Sequence, residues 1–149
     1  MTKLPDPAPR LDDLLCFLIH STGFAFNRAY RKPLEELGLT YPQYLAMIVL
    51  WAEDDLTVGA IGDRLRLDSG TLTPLLKRLE AQGMVTRRRS ATDERRVVIS
   101  LTESGRALRS RAAEVMNCVS QAVDLPDGQI ASLMTQLKDL RLNLDRAGT

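Results

Sequence analysis

The sequence predicts a mainly α-helical fold carrying one small β-hairpin, and three observations lead there. Apolar residues recur at helical spacing along most of the chain, two short helical patterns flank a tight connection, and the stretch after Arg96 switches to alternation with period two. At 149 residues and 44% hydrophobic content, the chain can bury one ordinary core without disulfides or metals. The expected organisation is a flexible leader over residues 1–10 and a single domain over 11–149. Within it, a lobe of about 40–101 is flanked by helices of about 11–32 and 103–146. The leader MTKLPDPAPR is polar and proline-rich, and no run approaches the roughly 18 apolar residues of a membrane span, so a cytoplasmic protein with no membrane partner is expected.

The elements follow in order. Leu11, Leu14, Leu15, Leu18, Ile19, Phe26 and Tyr30 give a first helix to about Lys32, where Pro33 predicts a boundary. Tyr41 to Trp51 is apolar on nearly every face, which predicts a short helix buried on all sides. Thr57 is a candidate N-cap for a helix with Val58, Ile61 and Leu65 on one stripe, and Arg66 to Asp68 makes a short connection. The next helix begins near Ser69 or at Thr71, buries Leu72, Leu75, Leu76 and Leu79, and stops at Gly83. Pro74 is tolerable if it falls in about the first turn, where few intrahelical partners exist. A hairpin follows, with one strand from Val85, a polar turn over Ser90–Glu94, and a second strand marked by Val97, Ile99 and Leu101. Thr102 caps a helix containing Leu108, Ala112, Val115, Met116 and Val119, and Pro126-Asp127 opens the last one, with Ile130, Leu133, Met134, Leu137, Leu140 and Leu144.

The net charge of +1 hides a local asymmetry. From Lys77 to Arg96 there are seven basic residues against three acidic ones, a local excess of four positive charges. A basic run such as Arg87-Arg88-Arg89, taken alone, reads as a solvated strand face. Preceded by helix, turn and helix, it reads as the wing of a winged helix-turn-helix, whose second helix enters the DNA major groove. Thr71, Thr73, Lys77 and Arg78 would then face DNA, with Arg95 at the hairpin tip placed for the adjacent minor groove. Ser69, Arg87, Arg88 and Asp93 complete the expected DNA-binding set. Winged helices also mediate protein contacts.

The segments LTYPQYLAMIVLW, LDSGTLTPLLKRLEAQGMVTRRR and DERRVVISLTESG closely resemble the MarR family of bacterial regulators, and within it the organic hydroperoxide sensors called OhrR, of the two-cysteine type. The resemblance runs from about Leu14 to Ala107, with LCFLIH, TYPQY and DSGTLTPLLKRLE appearing in order. It implies an intertwined helical homodimer with two winged lobes about one DNA turn apart, and hence a pseudo-palindromic double-stranded operator. The leucine and methionine stripes of the last two helices independently suit a dimer interface, or alternatively a cover for the winged core.

Cys16 and Cys118 are the only cysteines, too far apart for a disulfide scaffold or a CxxC motif, and no metal or cofactor is expected. Read alone, Cys16 in LLCFLIH is a small buried hydrophobe. The resemblance makes it the reactive thiol, with Tyr30 and Tyr41 matching tyrosines whose hydroxyls reach that sulfur from the other subunit. Phenolic donors make chemical sense there, because apolar burial opposes thiol ionisation and hydrogen bonds restore the thiolate. Cys118 corresponds to the resolving cysteine of the two-cysteine subgroup, or is a plain core cysteine. His20, one turn after Cys16, departs from the pattern by standing where relatives often carry another tyrosine; it either donates to the sulfur or is an ordinary amphipathic side chain. The function implied is a repressor that binds DNA when reduced and is released after organic hydroperoxide oxidises Cys16. Two alternatives are a repressor released by a reversible small ligand and a thiol peroxidase. The latter has no use for a basic hairpin, so the expectation is a regulator and not an enzyme.

Overall fold

The computed structural model describes residues 9–148, so most of the leader lies outside the described residues. The chain resolves into two compact units, one ending at Val119 and one beginning at Ser120. A 3-10 turn at Leu11–Asp13 precedes α1 (Leu15–Glu35), then α2 (Tyr41–Ala52), β1 (Leu56–Thr57), α3 (Val58–Leu65), α4 (Ser69–Ala81), β2 (Val85–Arg89), β3 (Val97–Leu101), α5 (Glu103–Ala107), α6 (Arg109–Val123) and α7 (Asp127–Ala147). The fold is the mainly helical winged helix-turn-helix that the patterning predicts. No helix of the described residues is long and apolar enough to cross a membrane.

The core of the first unit is built from Leu34, Tyr44, Met47, Leu50, Ile61, Leu72, Leu76, Leu79, Val85, Ile99 and Val115, each less than 2% exposed. Helix α1 passes through Pro33 and ends at Glu35, contrary to the boundary expected at the proline. Proline removes one hydrogen bond, but continuing the turn buries Leu34, worth about 1.5–3 kcal/mol. The chain then reverses through Gly38 at φ +70°. Thr40 opens α2 with a full capping box, its hydroxyl accepting from Gln43 N–H and its own N–H donating to the Gln43 side chain. Helix α2 is not buried on all sides: Ile48 is 39% exposed, so one face is uncovered in the single chain.

Thr57 caps α3 as expected, accepting from Ala60 N–H at 3.1 Å. Arg66 ends that helix in the left-handed conformation, φ 57°. The turn is tight enough that a Cβ on Gly62 would lie 2.7 Å from Leu67 O, so glycine is required there. Asp68, through its carboxylate bond to Thr71 N–H at 2.8 Å, starts α4 at Ser69 and not at Thr71. Pro74 therefore stands beyond the first turn, where it has no N–H to offer the Gly70 carbonyl; the four buried leucines hold the helix instead. Gly83 (φ +74°) closes α4 with Met84 N–H bonded to Leu79 O and Gly83 N–H to Glu80 O, the paired bonds of a Schellman cap.

Strands β2 and β3 pair antiparallel from Val85 opposite Leu101 to Arg89 opposite Val97. A third strand, β1, pairs with β3 through Leu56 opposite Ile99. Two residues carry no readable alternation, so nothing in the sequence announces it. The single helix expected after Thr102 is two, broken at Leu108. The Trp51 indole N–H donates to Gly105 O at 2.8 Å, engaging the carbonyl that Arg109 N–H would use in an unbroken helix. In the second unit, α7 opens after Pro126 as expected and buries no residue.

Candidate nucleic-acid interface and thiol positions

The outer face of α4 is set by its leucines. With Leu72, Leu75, Leu76 and Leu79 buried, Ser69, Thr71, Lys77 and Arg78 are exposed, and Thr73 is half-buried. Thr73 lines a cleft of about 670 Å³ together with Thr57, Ser69, Arg87, Arg95 and Arg96. The three arginines come from the hairpin, and Thr57 from the N-cap of α3, so three elements present donors to one concavity.

The arginines are not equivalent. Arg87 is tied to Glu80 on α4, its backbone N–H donating to Oε2 at 3.2 Å and its Nη1 lying 3.9 Å from Oε1. Its Nε is buried without a hydrogen-bond partner. Arg88 lies on the opposite strand face, its Nη2 3.6 Å from Asp55, a residue at φ 55°. At the tip, Asp93 accepts from Arg95 N–H at 3.1 Å and sits 3.6 Å from Arg96 Nε, so its carboxylate shapes the turn that carries Arg95, an exposed residue of the cleft lining. Arg89 Nη1 donates to Glu94 O at 3.2 Å across the same turn. Arg96 and Thr57 lie outside the DNA-binding set expected from the sequence, yet both line this cleft. Arg96 was already counted in the basic run, while nothing local to Thr57 reports that β1 carries it to the wing.

The wing is anchored to α2 by Asp54. Burial pushes its carboxyl up, but N–H donors from Leu101 and Asp55 and the Arg106 guanidinium outweigh that and hold it below the usual carboxylate range. Asp68 is also held low, by its bond to Thr71 N–H.

The thiol positions show a different pattern. Cys16 and Cys118 are both free and exposed, although Cys118 has buried Val115 and Val119 on its helix. A buried Cys16 is therefore not what the single chain contains. His20 packs edge-on against Phe24 at 4.6 Å between ring centroids. Tyr30 and Tyr41 meet with ring centroids 4.7 Å apart, and Tyr44 lies 5.7 Å from Tyr30. Burial, with the neighbouring phenols adding to it, pushes the Tyr30 hydroxyl above its ordinary value of 10.0; burial does the same to Tyr41. Both therefore remain protonated donors throughout the physiological range. Cys16 and Tyr30 stand fourteen residues apart on one helix, about 21 Å along its axis. The structure thus brings the tyrosines together and keeps their own chain's Cys16 away from them.

A smaller pocket of about 320 Å³ opens beside the pair, lined by Asn27, Arg31, Leu39, Thr40 and Tyr41 among others. No cluster of metal-ligating side chains occurs among the described residues.

Comparison with known proteins agrees with this architecture. Residues 28–111 match the family described as transcriptional regulator SarA/Rot. The chain is 49% identical over 106 residues to the organic hydroperoxide resistance transcriptional regulator of Bacillus subtilis (strain 168), covering 71% of this chain and 72% of that one. It is 46% identical over 145 residues to the HTH-type transcriptional regulator TtmR of Methylorubrum extorquens (strain PA1), covering 97% and 74%. Among solved structures it is similar to AbfR of Staphylococcus epidermidis. Reduced AbfR bound to DNA superposes with a TM-score of 0.81 at 34% identity, over 94% of this chain and 96% of that one. Overoxidised AbfR bound to DNA gives 0.75 at 37% (91% and 95%), and disulfide-formed AbfR 0.64 at 39% (88% and 92%). The chain belongs to the SarA/Rot family of transcriptional regulators, a MarR-like group of winged-helix proteins.

Proposed function

We propose that the protein is a homodimeric, redox-responsive repressor that binds pseudo-palindromic double-stranded DNA when Cys16 is reduced and leaves it after organic hydroperoxide oxidises that thiol. The observation that carries the reading is the separation within α1. The phenols of Tyr30 and Tyr41 form a donor pair, the exposed Cys16 lies about 21 Å up the same helix, and a second copy running the other way would bring one protomer's sulfur to the partner's phenols. Exposed Leu11, Leu15, Leu18 and Ile19 surround Cys16 with apolar surface that such a copy would cover. The same surface would select an organic hydroperoxide over hydrogen peroxide.

The chemistry follows from the groups. The thiolate attacks the distal peroxide oxygen, an S–O bond forms as the O–O bond breaks, and the alkoxide leaves as an alcohol after protonation. The product sulfenic acid no longer fits a site arranged for a thiolate. Attack by the Cys118 thiolate at the sulfenyl sulfur forms an S–S bond as the S–O bond breaks, the hydroxide leaving as water after taking a proton, and joins the subunits. Overoxidised AbfR is found bound to DNA, which supports the disulfide, and not oxygen addition alone, as the released form of the related protein here. His20, beside Phe24, would contribute a donor near the sulfur in place of a tyrosine.

On the DNA side, α4 would enter the major groove with Ser69, Thr71, Thr73, Lys77 and Arg78, Arg87 at the cleft and Arg88 would meet phosphate oxygens, and Arg95, beside Asp93, would enter the minor groove. The lobe of about 40–101 is then the reader, with the helices of about 11–32 and 103–146 forming the dimer. The protein is read as a cytoplasmic regulator and not an enzyme.

A duplex selected by the reduced protein from a random pool provides the probe. Cumene hydroperoxide is expected to release wild type and not Cys16→Ser; release of both would overturn the redox reading. A second reading, reversible release by a phenolic or other small ligand, for which the pocket beside Arg31, Glu35 and Tyr41 offers a place, predicts release by the ligand in both proteins. Sustained peroxide turnover with a thiol reductant would instead identify a thiol peroxidase.

A further inference from the structure

The turn between α1 and α2 is joined to the end of α4 by a polar chain that neither the DNA contacts nor the thiol chemistry uses. Gln43, 4% exposed, is a polar side chain buried in an otherwise apolar core. Its Oε1 accepts Thr40 N–H at 2.9 Å and its Nε2 donates to Gln82 Oε1 at 3.4 Å. Gln82 Nε2 in turn donates to Gly38 O at 2.8 Å. Gln82 is the C-cap residue of α4, with its backbone N–H bonded to Arg78 O and Glu80 O. One carboxamide therefore fastens the end of α4 to two points that are 39 and 44 positions away in sequence. A carboxamide suits this because it accepts and donates at once, which neither a carboxylate nor an ammonium does.

The place of attachment matters. Thr40 and Gln43 form the first turn of α2, and Tyr41 stands between them with its ring against Tyr30. Anything that shifts Tyr41 shifts that turn, and Gln43 goes with it. Helix α4, at thirteen residues, is about 20 Å long, with its leucines as the packed middle. If α4 moves as a rigid rod, movement at its Gln82 end would appear at its Ser69 end, where the proposed DNA-facing side chains begin.

We propose that Gln82, held between Gln43 and Gly38, is a positioning residue that sets α4 according to the state of the Tyr30–Tyr41 pair. The inference rests on the redox reading above. It differs from a purely structural role, in which the same bonds only satisfy buried polar groups and affect both redox states alike.

The test uses the full chain, the selected duplex and cumene hydroperoxide. Gln82 is exposed, so Gln82→Met removes both side-chain bonds without entering the core. Reduced Gln82→Met is expected to bind within about twofold of wild type, yet to lose at least about threefold less affinity on oxidation. Gln82→Glu keeps the acceptor for Gln43 and lacks the donor to Gly38, and is expected to fall between the two. An oxidation-dependent loss equal to wild type in Gln82→Met, or an equal weakening in both states, overturns the proposal while leaving the redox reading intact. If wild type itself is not released by peroxide, the redox reading fails and this inference fails with it.

Discussion

The winged lobe and the long flanking helices are built on opposite plans. Helix α4 buries four leucines in thirteen residues, whereas α1 buries only Leu34 in twenty-one and α7 buries none in twenty-one. Most of the exposed large hydrophobic side chains fall on the 3-10 turn, α1, α6 and α7, from Leu11 at 56% to Leu144 at 62%; in the lobe only Ile48 joins them. The core of the lobe is closed within one chain, with Leu34 of α1 and Val115 of α6 completing it, while the rest of the long helices leaves its apolar surface exposed. The difference gives the proposed function its layout: the DNA-reading lobe would be finished within one chain, and the thiol site would be assembled only when chains meet.

The contrast breaks most completely at the helices. Replacing Leu133 and Leu137 together by Glu puts two charges on the apolar stripe of α7, and sedimentation is expected to show a monomer with no tight DNA binding. A dimer that survives would place the interface elsewhere. Next in size, Leu76→Ala in the lobe should lower unfolding free energy by about 2–5 kcal/mol in denaturant titration. The same truncation at Leu144 should affect unfolding far less. Equal costs would erase the distinction between the regions. Arg95→Ala should weaken binding by about 1–3 kcal/mol and leave the fold unchanged; an unaltered Kd would remove the wing tip from the interface. The smallest effect is at Asp54. Its folded carboxyl titrates below the ordinary value of 3.8, so its stabilisation is present above that value and is lost as pH falls through the lower folded value. Acid melting of Asp54→Asn should lack that component, and identical acid profiles would contradict the anchoring role.

The same division explains what could be read from the sequence. The lobe was legible because its signals are local. The leucine stripe of α4, the Thr57 cap, Gly83 and the alternation of Val97, Ile99 and Leu101 each lie within a few residues of what they specify. What escaped depends on distant partners. The Leu108 break follows from an indole 54 residues before Gly105, β1 exists only through β3, and Pro33 stays helical because Leu34 finds the core. The Gln43–Gln82–Gly38 chain is of the same kind, since no local pattern links glutamines 39 positions apart. The proposed thiol site is legible only through the resemblance. Cys16, alone in an apolar helix, carries no signal of reactivity, and the tyrosines that would activate it stand far along the sequence.

Mixed dimers test the central claim most directly, because they ask whether Cys16 is served by its own chain or by its partner. One protomer carries Cys16 with Tyr30→Phe and Tyr41→Phe; the other carries Cys16→Ser with both tyrosines. If the thiol site forms between chains, this dimer should be oxidised by cumene hydroperoxide at the rate per competent site of wild type, while the tyrosine-deficient homodimer is slow. A mixed dimer as slow as that homodimer would contradict the account.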